Sequence, residues 1–400
     1  MRQLRGINFF IPDTLIAAAI PAAGIASIKN TSSSIEGILL ECPGEVEDTC
    51  RITAYDMAGM VTTIPCRIDE PGKVIVKAQN LLQIVRALGE GEIEITVDEN
   101  WRATISQGKS SFEIAVMPGD NFPQLPLLAG DRNYTMPQYL FRDVINRTIY
   151  AVGVNDQRAI FNGAFFKIEN DKLLVVCCDS ARVAISHIDL PGEDNPEAAV
   201  IVPGRLLNEV LRMIKDTEDD ITVTLARKHI IFRIGEYTYF TRLIEGEYFN
   251  YARVLPKSHE VEVFVGADIL RSALERALLV TEDKLGGNYK PFIKLSFEDN
   301  LLKMSSVSSG GSFYDEIPVA KTGADMVIGF NCRLLVEALR NMPDSVSQLR
   351  LGLNNPLMGM TVEEAAGSGS GSYVPGCERQ ASDDFKDVFL DFIMPTRMNK

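Results

Sequence analysis

Ala199-Val-Ile-Val-Pro-Gly-Arg-Leu206-Leu207-Asn-Glu-Val-Leu-Arg212 is one of three copies of a single phrase in this chain. The others are Lys73-Val-Ile-Val-Lys-Ala-Gln-Asn-Leu81-Leu82-Gln-Ile-Val-Arg86 and Asp325-Met-Val-Ile-Gly-Phe-Asn-Cys-Arg-Leu334-Leu335-Val-Glu-Ala-Leu-Arg340. In each, a short apolar run meets a polar or turn-prone pair, and then Leu-Leu opens a stretch with apolar residues at helical spacing that ends in Arg. A period near two gives way to one near 3.6, which predicts a strand leading into an amphipathic helix. Leu82, Leu207 and Leu335 are spaced by 125 and 128 residues, a domain-sized interval.

The stretches C-terminal to the three copies agree as well. Glu92-Ile-Glu-Ile-Thr-Val97, Asp220-Ile-Thr-Val-Thr-Leu225 and Gln348-Leu-Arg-Leu-Gly-Leu353 alternate polar with apolar, as a half-buried antiparallel strand does. The expected fold is therefore α+β, one unit used three times, with domains over 1–127, 128–256 and 257–400. The 400 residues, 46% of them hydrophobic, suffice for three ordinary cores. Gly367-Ser-Gly-Ser-Gly-Ser372 and the residues after it read as a flexible insertion near 365–384 inside the third domain.

Seven cysteines, an odd number without a Cys-x-x-Cys pair, argue against a disulfide framework or zinc site and favour a reducing cytoplasm. Met1 to Arg5 is basic and Leu15 to Ala26 is apolar, which resembles a leader. Asp13 and Pro21 interrupt that run, however, and Asp13 is placed to cap a helix opening at Thr14. His187, His229 and His259 are the only histidines, and none sits beside a Cys or carboxylate at ligand spacing. The glycines of 367–372 lack the strand-turn-helix context and Gly-Lys-Ser/Thr ending of a phosphate loop. Asp179 or Cys178 as a hydrolytic nucleophile is the enzymatic alternative, without a neighbouring His to support it.

The net charge of −14 argues against an ordinary nucleic-acid binder. The three Leu-Leu helices run the other way. Arg205, Arg212 and Lys215 outnumber Glu209, Arg333 and Arg340 outnumber Glu337, and Arg86 has no acidic neighbour within its helix. The segment Phe141 to Tyr150 is slightly basic too. Basic helices within an acidic shell would hold DNA on one face only.

Five further segments, in order along the chain, resemble the bacterial sliding clamp family, the beta subunit of DNA polymerase III. They are Phe122-Pro-Gln-Leu-Pro126, Asp156-Gln-Arg-Ala-Ile-Phe-Asn-Gly163, Cys178-Asp-Ser-Ala-Arg-Val-Ala184, Tyr251-Ala-Arg-Val-Leu-Pro256 and Phe392-Ile-Met-Pro-Thr-Arg397. The resemblance implies three domains, each a pair of βαβββ units, and a head-to-tail homodimer whose six domains close a ring. Helices would line the hole and sheets would form the shell. A closed ring needs only weak, sequence-blind phosphate contacts, which reconciles double-stranded DNA with a charge of −14. The implied role is a non-catalytic, cofactor-free processivity factor of the bacterial cytoplasm and nucleoid. Its implied partners are the polymerase III alpha subunit, the clamp loader, and clamp-motif proteins of translesion synthesis, mismatch repair and ligation. A scaffold that gathers such partners without loading on DNA is the alternative.

By the same resemblance, a cleft for a Leu- and Phe-containing peptide takes Phe161, Cys178, Ser180, Ala181, Arg182, Val183, Phe249, Arg253 and Val254 from the second domain. Pro356, Phe392, Ile393, Met394, Pro395 and Arg397 come from the third. Lys29 takes a DNA-contacting place, while Arg205, Arg212 and Arg333 are candidates from helix charge alone. Phe112 would meet Leu279 and Val280 across the dimer. The chain departs from the family pattern at Ser180-Ala181, where Gly-His is usual, at Phe249, where Pro is usual, and in the extra Met398 to Lys400.

Overall fold

The computed structural model describes residues 7–11, 14–26, 37–43, 48–88, 91–281, 292–308, 311–365 and 389–397. Asp13, Lys29, most of the 365–384 insertion and Met398 to Lys400 lie outside the described residues.

The first domain opens with β1 (Ile7–Ile11), α1 (Thr14–Ala26), β2 (Gly37–Cys42), β3 (Thr49–Asp56) and β4 (Ala58–Pro65). After a short β5 (Arg67–Glu70) the order repeats as β6 (Gly72–Lys77), α2 (Ala78–Leu88), β7 (Ile93–Val97), β8 (Arg102–Gln107) and β9 (Ser110–Ala115), followed by β10 (Met117–Pro118). The second domain gives β11 (Arg132–Pro137), α3 (Gln138–Ile149), β12 (Gly163–Glu169), β13 (Lys172–Cys178) and β14 (Arg182–Asp189). Its second half is β15 (Ala198–Pro203), α4 (Gly204–Met213), β16 (Asp220–Leu225), β17 (His229–Ile234) and β18 (Tyr237–Arg242). The third domain runs β19 (Val261–Gly266), α5 (Ala267–Thr281), β20 (Ile293–Glu298), β21 (Leu301–Ser308) and β22 (Gly311–Pro318). It closes with a short β23 (Ala320–Thr322), β24 (Met326–Phe330), α6 (Cys332–Arg340), β25 (Gln348–Leu353), β26 (Met360–Glu364) and β27 (Phe389–Ile393). Among the described residues the βαβββ order thus occurs six times, and every strand pairing is antiparallel in the sheets these elements form.

The repeated phrase forms β6–α2, β15–α4 and β24–α6, and the alternating segments after it form β7, β16 and β25. Helical spacing explains which face is buried. In α2, Ala78, Leu81, Leu82 and Val85 are buried, and in α6 Cys332, Leu335, Val336 and Leu339 are, each set lying along one stripe. Asn331 caps α6 by accepting from the Arg333 amide at 3.1 Å.

The chain divides into two compact units, Met1–Tyr139 with Arg205–Leu243, and Leu140–Gly204 with Ile244–Lys400. In the first, α1 and α2 pack together, and α1 lies on β3 and β4. Its sheets are β5-β1-β7-β8-β9 and a nine-stranded β10-β6-β2-β3-β4-β18-β17-β16-β11. In the second, α5 and α6 pack together over a core that includes Leu270, Leu274, Phe297, Phe330 and Leu339. Its sheets are β22-β21-β20-β24 and a nine-stranded β15-β12-β13-β14-β27-β26-β25-β19-β23. Both long sheets run across a domain boundary, through β4–β18 and through β14–β27, and this divides the strands of the middle domain between the units.

Candidate peptide pocket and interfaces

The register of the second long sheet sets out the candidate pocket. Cys178 is opposite Val183 and Val183 opposite Phe392, so β13, β14 and β27 contribute one row of side chains. Two residues along, Val176, Ile185 and Leu390 form a second row on the same face, as the period of two requires. Both rows join Phe161, Ile201 and Tyr248 in one buried cluster, with Ile160, Phe165, Phe249, Tyr251 and Leu255 packed at its margin. The aromatic rings interlock. Phe249 meets Phe161 edge-on at 5.5 Å, and Tyr248 stacks on Phe165 at 5.0 Å. Tyr248 also donates its hydroxyl to the Val176 carbonyl at 3.3 Å, which satisfies its one buried polar side-chain atom.

Around this floor the side chains are open. Met394 is 41% exposed and Val254 42%, while Ser180, Arg253, Pro356 and Arg397 are exposed and Ala181 and Pro395 half-buried. The segment after β27 is fixed through its backbone, since the Met394 amide donates to the Ala181 carbonyl and the Thr396 amide to the Gly329 carbonyl, both at 2.8 Å. Gly359 lies directly against Phe392, where a Cβ would come within 2.4 Å of the ring. Arg158, which sequence reasoning does not single out, lies over the Phe161 ring at 4.1 Å and is held there by Asp156 at 3.2 Å. Its only signal in the sequence is an Arg three residues before Phe161, inside the family-like stretch Asp156 to Gly163.

Two of the expected cleft residues face the other way. Arg182 and Ile393 are paired across β14 and β27, one step out of phase with the pocket rows. Ile393 belongs to the core beneath α5 and α6. Arg182, 8% exposed, reaches Asp179 at 3.0 Å, Glu337 of α6 at 2.6 Å and the Tyr150 carbonyl at 2.6 Å. The Tyr150 hydroxyl in turn donates to Asp391. Burial opposes the charge on Glu337, but the bonds from Arg333 and Arg182 outweigh it and hold that carboxyl below its usual range. Burial raises Asp391 to about 7, against the Tyr150 bond and the Arg182 charge.

Neither Cys178 nor Asp179 is set up as a nucleophile. Burial pushes the Cys178 thiol up to about 12, and the thiol donates to the Asp179 carbonyl at 2.8 Å. The Asp179 carboxylate is occupied by the amides of Ala181 and Arg182 as well as by the Arg182 side chain.

Family models of the DNA polymerase III beta subunit match the chain in three consecutive places: the N-terminal domain over residues 8–126, the central domain over 135–250 and the C-terminal domain over 252–372. The beta sliding clamp of Salmonella typhimurium is 30% identical over 307 residues, which covers 76% of this chain and 81% of that protein. The chain belongs to the DNA polymerase III beta subunit family, the beta sliding clamps. The Escherichia coli clamp is 29% identical over the same extent. Among solved structures, a beta subunit from Eubacterium rectale superposes with a TM-score of 0.82 at 26% identity. The Pseudomonas aeruginosa clamp bound to griselimycin superposes at 0.81 and 25%. Each of these covers 98% of this chain and all of the other.

In this clamp, the cations expected to face DNA are mostly paired. Arg212 of α4 binds Glu209 at 2.5 Å, and Arg333 of α6 binds Glu337 at 2.8 Å. Arg205 lies on the exposed side of α4 near Asp56 and Glu209. Lys29 falls outside the described residues. Among the described residues, no helix is long and apolar enough to cross a membrane.

The residues expected at the dimer contact sit at two sheet edges. Phe112, 36% exposed, is on β9, the last strand of its sheet. Leu279, 82% exposed, and the half-buried Val280 are in the last turn of α5, which packs on β22, the last strand of its own sheet. Both strands show solvent-facing side chains along most of their length.

Proposed function

We propose that this chain is a non-catalytic processivity factor. Two copies join head to tail into a ring that surrounds duplex DNA, and the ring tethers the replicative polymerase through the pocket on β13, β14 and β27. The observation that carries this reading is the in-register row Cys178, Val183 and Phe392 with its aromatic margin and the exposed Met394 beside it. An apolar floor with a few fixed backbone groups at its rim suits a short peptide bearing Leu and Phe. The flexible thioether of Met394 suits several partners in turn, among them the polymerase III alpha subunit, the clamp loader, repair and translesion polymerases, mismatch repair proteins and ligase. β9 and β22 supply two unlike edges on one chain, which a heterologous contact needs if it is to close.

The test is retention on DNA. After treatment with a clamp loader, the protein should stay on circular DNA and run off linear DNA, and Met394→Ala should lose partner peptide while keeping its place on the circle. The paired state of Arg212 and Arg333 favours the second reading, a scaffold that never loads. Equal loss from circular and linear DNA with unchanged peptide affinity would establish the scaffold instead.

A further inference from the structure

The three strands of the pocket carry a second pattern on their reverse face. Each pocket residue has a sequence neighbour that points the other way: Cys177 beside Cys178, Arg182 beside Val183 and Asp391 beside Phe392. Cys177, Ala184 and Asp391 form a row across β13, β14 and β27, one residue out of step with Cys178, Val183 and Phe392. Behind that row stands Tyr150, just past the end of α3, whose hydroxyl donates to Asp391 and whose carbonyl accepts from Arg182. The Arg182 guanidinium also lies 5.0 Å from the centre of the Tyr150 ring. Asp391 is 4% exposed, and the pocket residue next to it, Phe392, is 3% exposed. A shift of β27 at Asp391 therefore moves Phe392 as well.

We propose that Tyr150 and Asp391 are positioning residues for the peptide pocket, anchoring β27 from behind so that ionisation of Asp391 loosens the grip on a partner peptide. This rests on the proposed peptide-binding role of the pocket. The neutral acid keeps its hydrogen bond with Tyr150 at no cost in buried charge, whereas the ionised carboxylate is held in a dry site where the Tyr150 bond and the Arg182 charge do not offset its desolvation. Charged and titratable groups face Asp391 from several elements. From the α3 side come Tyr150, whose phenol burial keeps well above its ordinary range, and Arg147, bonded to Asp143 at 3.1 Å. Arg182 comes from β14, with Asp179 and Glu337 of α6 as its counter-charges. Cys177 on β13 is pushed up to about 12 by burial and stays neutral, and the β26 residue opposite Asp391 is Val362. Asp391, raised to about 7 by burial, changes charge near neutrality.

The experiment measures the affinity of the full-length dimer for a fluorescent Leu- and Phe-containing peptide, end-blocked and free of histidine, between about pH 6 and pH 8. Wild type should bind several-fold more weakly at the alkaline end. Asp391→Asn, an isostere of the neutral acid, should show the tighter affinity at both ends. Tyr150→Phe should bind weakly throughout with unchanged far-UV circular dichroism, and it decides the matter if the Asn variant fails to fold. A pH-flat wild type, or an Asn variant that follows the wild-type curve, would overturn the proposal and leave the pocket standing. No binding by wild type at any pH would overturn both.

Discussion

Val183 stands directly opposite Phe392 where β14 pairs with β27, so one rung of a sheet both joins the second domain to the third and lies in the pocket floor. Phe392→Ala should therefore act on stability and binding together, costing about 3–5 kcal/mol in urea denaturation and abolishing peptide capture. Met394→Ala separates the two. At that exposed position stability should change by less than about 0.5 kcal/mol while peptide affinity falls.

Gly359 tests the packing of the same ring from the loop side. A methyl group there would come within 2.4 Å of Phe392. Gly359→Ala should destabilise the chain by about 1–3 kcal/mol, because the ring must move and its neighbours are close-packed. Thermal unfolding gives the size of that loss, and a peptide titration should show weaker binding alongside it.

Arg182 holds three partners from a nearly dry position. Arg182→Met leaves Glu337 to Arg333 alone and Asp179 to its two backbone amides, and should cost about 1–3 kcal/mol in chemical denaturation. The double variant with Glu337→Gln should lose less than the two single losses combined, because both remove the same interaction. A strictly additive double-mutant cycle would count against the coupling.

Asp391 also gives overall stability a pH dependence. Its folded value of about 7 lies above the ordinary 3.8, so the folded chain holds this proton more tightly than the unfolded chain. Its contribution is complete below about pH 4, declines as pH rises through about 7, and is level beyond, a change on the order of 4 kcal/mol. Urea midpoints across that window should fall less steeply for Asp391→Asn than for wild type.

The ring contact is expected to depend on Leu279, which is almost fully exposed on one chain. Wild type should elute at about twice the chain mass of 44.2 kDa, and Leu279→Asp or Phe112→Asp at the single-chain mass without a loss of secondary structure. Light scattering coupled to gel filtration distinguishes the two.

The phrase around Leu82, Leu207 and Leu335 is enough to locate three helices and the strand after each, because helical and strand periods differ so plainly there. α5 is less legible: its buried positions Ala267, Ala273 and Ala277 are small, and small residues write a faint period. Pocket membership comes from resemblance to known motifs, but its division into two faces does not. Which way Arg182 and Ile393 point depends on a register between β14 and β27, strands about 200 residues apart, and no local pattern contains that. The pairing of the helix charges is legible in the spacing. Arg212 with Glu209 and Arg333 with Glu337 stand at helical spacings of three and four, so counting cations overlooks pairs that the spacing itself implies.

The sheets that cross from domain to domain have a consequence for how the molecule comes apart. The sequence repeats like a set of interchangeable modules, yet cutting between them would strip β4 of β18, or β14 of β27, and leave a full-length strand edge bare. Such an edge recruits other chains. An excised domain should therefore aggregate rather than persist as a small clamp domain.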